Sequence, residues 1–139
     1  MKRTILFFIF TSFLVLNSCG PKGPSENVKL REEVIEVHDE VMPKMGQLKL
    51  LERKSLEKVE ELESKDSIDS TELAKYKAIA YDLNQSHEAM FDWMHQYETE
   101  DGEKSNEELK QYLEDQMELI SKVNVDMKEA LEKAHSLLK

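Results

Sequence analysis

The sequence predicts an all-α protein, an elongated up-down-up three-helix bundle of coiled-coil type behind a cleaved N-terminal signal peptide. Three observations predict it. Apolar residues recur at alternating steps of three and four over long runs; the 139-residue chain holds only 4 Gly and 3 Pro, none of the prolines after Pro43; and its first residues have the layout of an export signal. Too few turn residues remain for an all-β fold, and 1 Cys excludes a disulfide scaffold. With a formal charge of -10, no nucleic-acid partner is expected.

Lys2 and Arg3 precede the apolar stretch Ile5 to Leu16, interrupted only by Thr11 and Ser12 and too short for the hydrocarbon core of a bilayer, about 30 Å thick. It runs into Leu16-Asn17-Ser18-Cys19, which resembles a bacterial lipobox with Asn17 as its imperfect position. In lipoproteins of this type the cysteine thiol receives a diacylglycerol, a peptidase cuts before it, and the new amine is acylated. Two or three chains, at about 0.8 kcal/mol per buried CH₂, make a durable anchor. The expected organisation is a signal peptide at 1–18, a lipidated tether at 19–26 containing GPKGPS, and a helical domain at 27–139. Removing Lys2 and Arg3 leaves 17 basic against 29 acidic side chains, net -12, so membrane attachment rests on the lipid and not on a basic patch. Gly20, not Asp, follows the cysteine, which by the usual sorting rule directs the protein to the outer membrane. No acidic run follows, and a periplasm-facing position is expected.

The first helical stripe reads Val34, His38, Val41, Met45, Leu48, Leu51, Val59, Leu62; the second Leu73, Tyr76, Ala80, Leu83, His87, Met90, Met94, Tyr97. The third runs Leu109, Leu113, Gln116, Ile120, Val123, Met127, Ala130, Ala134, Leu137, with Gln116 its one polar member. Asp69 with Glu72, and Ser105 with Glu108, carry N-terminal capping chemistry. Helices are therefore expected at about 27 to 64, 70 to 98 and 105 to 138. The longest would extend about 57 Å at 1.5 Å per residue. Pro43 lies inside the first, where its ring crowds the Asp39 carbonyl and removes a donor. Because the stripe keeps its phase through Met42 and Met45, a kinked continuous helix is expected.

Two segments concentrate methionine and histidine: His38 to Gly46 (HDEVMPKMG) and His87 to His95 (HEAMFDWMH). Antiparallel pairing about the first connection sets Met45 opposite Met90 and His38 opposite the turn from Met94 to Tyr97. Pairing about Gly102 sets Gln116 beside His87, giving a buried polar layer. Two readings stand side by side. Methionine fills core gaps while His87 bonds to Gln116; or thioether and imidazole groups from His38, Met42, Met45, His87, Met90 and Met94 form a Cu(I) site. Catalytic residues are not expected. No His-Glu-x-x-His is present, only Glu132-x-x-His135 fits the spacing of a di-iron motif, and there is no Gly-rich phosphate loop.

The same two segments, HDEVMPKMG and HEAMFDWM, resemble a group of small lipoproteins of Bacteroidota, many of them labelled automatically as "viral A-type inclusion protein", a label that reflects coiled-coil similarity. The resemblance implies a helical envelope lipoprotein and supplies no catalytic residues. The expected role is a non-enzymatic, lipid-anchored interaction or structural module that binds another envelope protein or itself. Its alternative is a periplasmic Cu(I)-binding lipoprotein. Apart from the lipid on Cys19 no cofactor is expected unless the Met/His cluster takes copper. Phe91, Trp93 and Tyr81, off the predicted stripe, are the expected contact residues.

Overall fold

The computed structural model describes residues 25–67 and 69–139. Cys19, the signal peptide, and the tether before Ser25 lie outside the described residues. Among the described residues all regular structure is helical: α1 Glu26–Val41, a 3-10 turn Met42–Lys44, α2 Met45–Glu63, α3 Ser70–Gln96 and α4 Asn106–Leu137. None of these helices is long and apolar enough to cross a membrane. The fold class is the expected all-α bundle, with the rod α1–α2, α3 and α4 as its three members.

Capping chemistry sets the helix starts. Ser25 accepts from the Val28 N–H, and Asp69 accepts from Thr71 and Glu72 N–H at 2.9 and 3.0 Å. Ser105 and Glu108 form a complete capping box: the Ser105 hydroxyl accepts from the Glu108 N–H, and the Glu108 carboxylate accepts from the Ser105 N–H at 2.8 Å. Gly102, with φ 61°, makes the left-handed turn that precedes it.

At Pro43 the α-helix is interrupted but its right-handed course is not broken. With no N–H to give the Asp39 carbonyl, the chain tightens into one 3-10 turn in which Met45 N–H bonds to the Met42 carbonyl. Val41, Met42, Lys44 and Met45 all keep right-handed helical torsions. Across this turn the rod changes neighbour, since α1 packs chiefly on α4 whereas α2 packs chiefly on α3. α1 and α4 run parallel, as the pairs Glu26 with Lys110, Asn27 with Asn106, and Glu40 with Lys128 show. α3 is antiparallel to both, with Lys77 on Glu63 at one end and Glu98 N–H on the Tyr112 hydroxyl at the other.

The core is a main apolar cluster with a smaller one of Val59, Leu62 and Tyr76 beside it, and Leu48, Leu83, Met90, Leu113, Ile120 and Met127 are fully buried. The predicted stripes on the rod and α4 are buried except for His38 and Leu137, which are half-buried. On α3 the seam takes Ile79, Ser86 and Trp93, while His87 and Met94 are only half-buried. α3 touches both α2 and α4, so its buried face is wider than a single three-four stripe, and periodicity selected only one edge of it.

The pairing of α3 with α4 also departs from expectation. Tyr97 leaves α3 extended, at φ -73° and ψ 122°, and the chain continues past the helix end before turning at Gly102. Tyr112, already in the second turn of α4, is level with Tyr97 and Glu98. The first turns of α4 therefore lie beyond the end of α3 and pack on the start of α1. Farther down, Ser86 and Ala89 border one cleft with Lys122, Asp126 and Ala130. The α4 residues level with His87 are thus about ten positions, or 15 Å, past Gln116.

The capping box yields a prediction with a pH sign. Replacing Ser105 by Ala should destabilise the fold by about 1 kcal/mol in urea melts near neutral pH. Glu108 sits below the ordinary glutamate value, chiefly through its hydrogen bond from the Ser105 side chain and then from the Ser105 backbone. Its folded-state pKa is depressed, so its contribution is complete above the ordinary value of 4.5 and fades as pH falls through the lowered one. The Ser105→Ala difference should therefore shrink in acid. A difference that grows in acid contradicts the box.

Candidate functional site

The end of the bundle where α1 begins carries most of the polar and aromatic structure. Arg31 reaches from α1 to the non-helical segment after α3, donating to the Tyr97 hydroxyl at 3.2 Å, the Glu98 carbonyl at 2.8 Å and the Asp101 carboxylate at 2.7 Å. Its guanidinium also lies 5.8 Å from the Tyr97 ring centroid. An aromatic column continues inward, with Tyr97 stacked between Tyr112 and Trp93, and Trp93 stacked on His38 at 5.3 Å. Burial pushes the Tyr97 hydroxyl above the ordinary tyrosine value, so it stays protonated.

Trp93 is thus a core residue, 6% exposed, and not the outward contact that its position off the stripe implied. The broad buried face of α3 accounts for it. Phe91 and Tyr81 are exposed as expected.

Between α1 and the segment 99–101 runs a groove of about 830 Å³. Val28 and Ile35 give it apolar walls; Glu32, Glu36, Asp39, Glu100 and Asp101 surround them with carboxylates, and Arg31 is the one cation in the lining. That cation is already engaged with Asp101.

The structure divides the six Met/His residues. Met45 and Met90 are buried in the main core, with Met42 and Met94 half-buried against it. His38 meets the Trp93 level of α3, close to the expected Met94 to Tyr97 turn. His87 precedes Trp93 by six residues, about 9 Å along the helix, and its ring lies against Phe91 at 4.9 Å. Among the described residues, no three His, Cys, Asp or Glu side chains gather as a metal-binding group.

The polar layer of His87 with Gln116 does not form. His87 Nδ1 and Gln116 Oε1 are both buried without a hydrogen-bond partner, a consequence of the displaced pairing of α3 with α4. The layer that does form was missed: Asn124, 5% exposed, donates at 2.9 Å to both the Val37 carbonyl and the Glu40 carboxylate. Its signal was an Asn beside the stripe residue Val123, on the flank of α4 that α1 covers. Lys128 completes the cluster on Glu40, and its hydrogen bond, followed by that from Asn124, holds this carboxyl below the ordinary glutamate value.

No protein family, curated protein or solved structure matches the chain.

An orphaned buried amide predicts its own repair. Gln116→Met, which keeps the volume and removes the unpartnered oxygen, should leave stability unchanged or raise it. Asn124→Leu should lower it by about 1 to 3 kcal/mol, because α1 loses its tie to α4 and Glu40 loses a donor. A double-mutant cycle of His87→Leu with Gln116→Leu should show coupling below about 0.5 kcal/mol. Coupling above 1 kcal/mol would restore the layer that the pairing forbids.

Proposed function

We propose that this chain is a non-enzymatic, lipid-anchored protein of the cell envelope, held at the periplasmic face of the outer membrane through Cys19, and that it docks another envelope protein. The observation that carries the docking role is the acid-rimmed groove between α1 and residues 99–101. Apolar walls favour burial of a partner side chain, and the surrounding carboxylates select a partner that carries Lys or Arg beside it. A second copy of this chain is disfavoured, because two such rims repel and the mature chain has an excess of acidic residues. The occupant is therefore an amphipathic segment with basic flanks. Cys19 precedes Glu26 by seven residues, so a lipid there restrains the start of α1 to within about 25 Å of the membrane surface. The groove opens on that same part of α1.

In-cell cross-linking of the lipidated protein should recover a reproducible partner, and Glu32→Lys with Glu36→Lys should abolish that adduct. Monomer alone, or an adduct indifferent to both changes, contradicts the docking role. The anchor is tested separately. Cys19→Ala should move the protein out of the detergent phase, while mass spectrometry of the natural form should find a diacylated N-terminal cysteine. An unmodified Cys19 would sink the anchor and leave the groove standing.

A further inference from the structure

We propose that the outer face of the α3 and α4 pair is a surface on which two copies of this chain join side by side and in the same orientation, α3 of each against α4 of the other. This face shares no residue with the acid-rimmed groove, and the inference goes beyond the docking role.

Two cavities lie in the trough between α3 and α4, one of about 460 Å³ bordered by Ser86, Ala89 and Ala130 and one of about 550 Å³ bordered by Ile79 and Leu137. Asp82 and Lys133 border both, so the two form one trough. It runs from Lys75 to Ala89 on α3 and from Lys122 to Leu137 on α4, about 22 Å at 1.5 Å per residue. Tyr81 stands at its rim, 64% exposed. A large aromatic ring held in water beside an open trough gives one face both a knob and a hole.

Charge decides what covers the trough. The groove on α1 is surrounded by carboxylates, whereas here Lys75, Lys122 and Lys133 stand among four carboxylates, close to balance in an otherwise acidic chain. A second copy therefore meets little net charge of its own sign on this face, and repulsion from the rest of the chain is screened beyond about 8 Å at physiological salt. The placement of the charges sets the orientation. Lys133 Nζ lies 3.7 Å from Asp82 and 3.8 Å from Glu129, too far for a hydrogen bond to either, and this puts Asp82 and Lys133 at one level across the trough. A two-fold axis along the bundle lays α3 of each copy on α4 of the other with levels unchanged. Asp82 of each then meets Lys133 of the other, and Tyr81 of each comes to the level of the other's Ala130, since those two residues border one cavity. An axis across the helices at the middle of the trough sets Asp82 on Asp82 instead, and like charge opposes it.

The face is two helices wide, about 20 Å, so closing it buries on the order of 900 Å² in total, the range of weak interfaces. Association is therefore expected at the high local concentration of a shared membrane or of a concentrated solution. Two copies held in one membrane through Cys19 also have the orientation that the charges select, a support that rests on the proposed anchor as the charge pattern does not.

The experiment co-expresses two tagged copies, one Asp82→Cys and one Lys133→Cys, oxidises the cell envelope mildly, and reads the disulfide between the two peptides by mass spectrometry, so that no link through Cys19 is mistaken for it. The expected result is a linked dimer from the mixed pair and little from either variant alone. Tyr81→Ala should cut the yield of that dimer at least about fivefold while the thermal midpoint stays nearly unmoved, because the ring is exposed. In a second arm, sedimentation of the purified chain at about 1 mM should show a dimer that Asp82→Lys weakens and that Asp82→Lys with Lys133→Asp restores. If Cys19 proves unmodified this second arm decides alone, so loss of the anchor does not imitate loss of the dimer. An anchored chain with no link in the mixed pair, an equal link of Asp82→Cys to itself, or a chain that stays monomeric at about 1 mM or whose dimer ignores both Tyr81→Ala and the charge exchange overturns the surface.

Discussion

One missing N–H organises this bundle. Pro43 cannot donate to the Asp39 carbonyl, and the chain answers with a single 3-10 turn in place of a break. Because the torsions stay right-handed, Val41, Met45 and Leu48 remain on the buried seam while the rod changes neighbour from α4 to α3. α1 is thereby committed to a parallel partner, α4, which requires the first turns of α4 to extend beyond α3. The non-helical segment from Tyr97 to Asp101 bridges that gap, and Arg31 holds it from α1. The groove and the aromatic column both follow from this arrangement.

Stability and register come from different sources. The ion pairs are mostly on the surface, as with Arg53 and Glu57, where each contributes at most about 1 kcal/mol. The apolar seam supplies the main driving force. Parallel alignment of α1 with α4 is specified by the polar cluster of Asn124, Glu40 and Lys128 at one level and by Glu26 with Lys110 at another. A slip by one turn would strand the Asn124 amide among apolar neighbours, an error an apolar seam alone does not punish.

The three-member helical architecture was legible because two of its stripes were narrow and its caps were written in Asp69, Ser105 and Glu108. The first connection is short, so numbering alone set His38 near the end of α3. The second was misread because the chain runs on irregularly through residues 97–101 before it turns at Gly102. Residues that run on past the helix end before the turn shift the pairing of α3 with α4. Nothing in periodicity announces that. The same displacement undid the layer of His87 with Gln116 and hid the Asn124 cluster, while the wide buried face of α3 hid Trp93. The Met/His cluster divided for a related reason: helical spacing put six residues in two facing segments, but packing distinguishes buried Met45 and Met90 from half-buried Met42 and Met94.

The antiparallel alignment of α3 with the rod requires His38 on α1 to lie against Trp93. Nuclear Overhauser contacts from the single indole test this most directly. The account predicts cross-peaks from Trp93 to the rings of both His38 and Tyr97, and none between the His87 ring and the Gln116 amide. A Trp93 indole without a contact to His38, or a clear contact between His87 and Gln116, would contradict it.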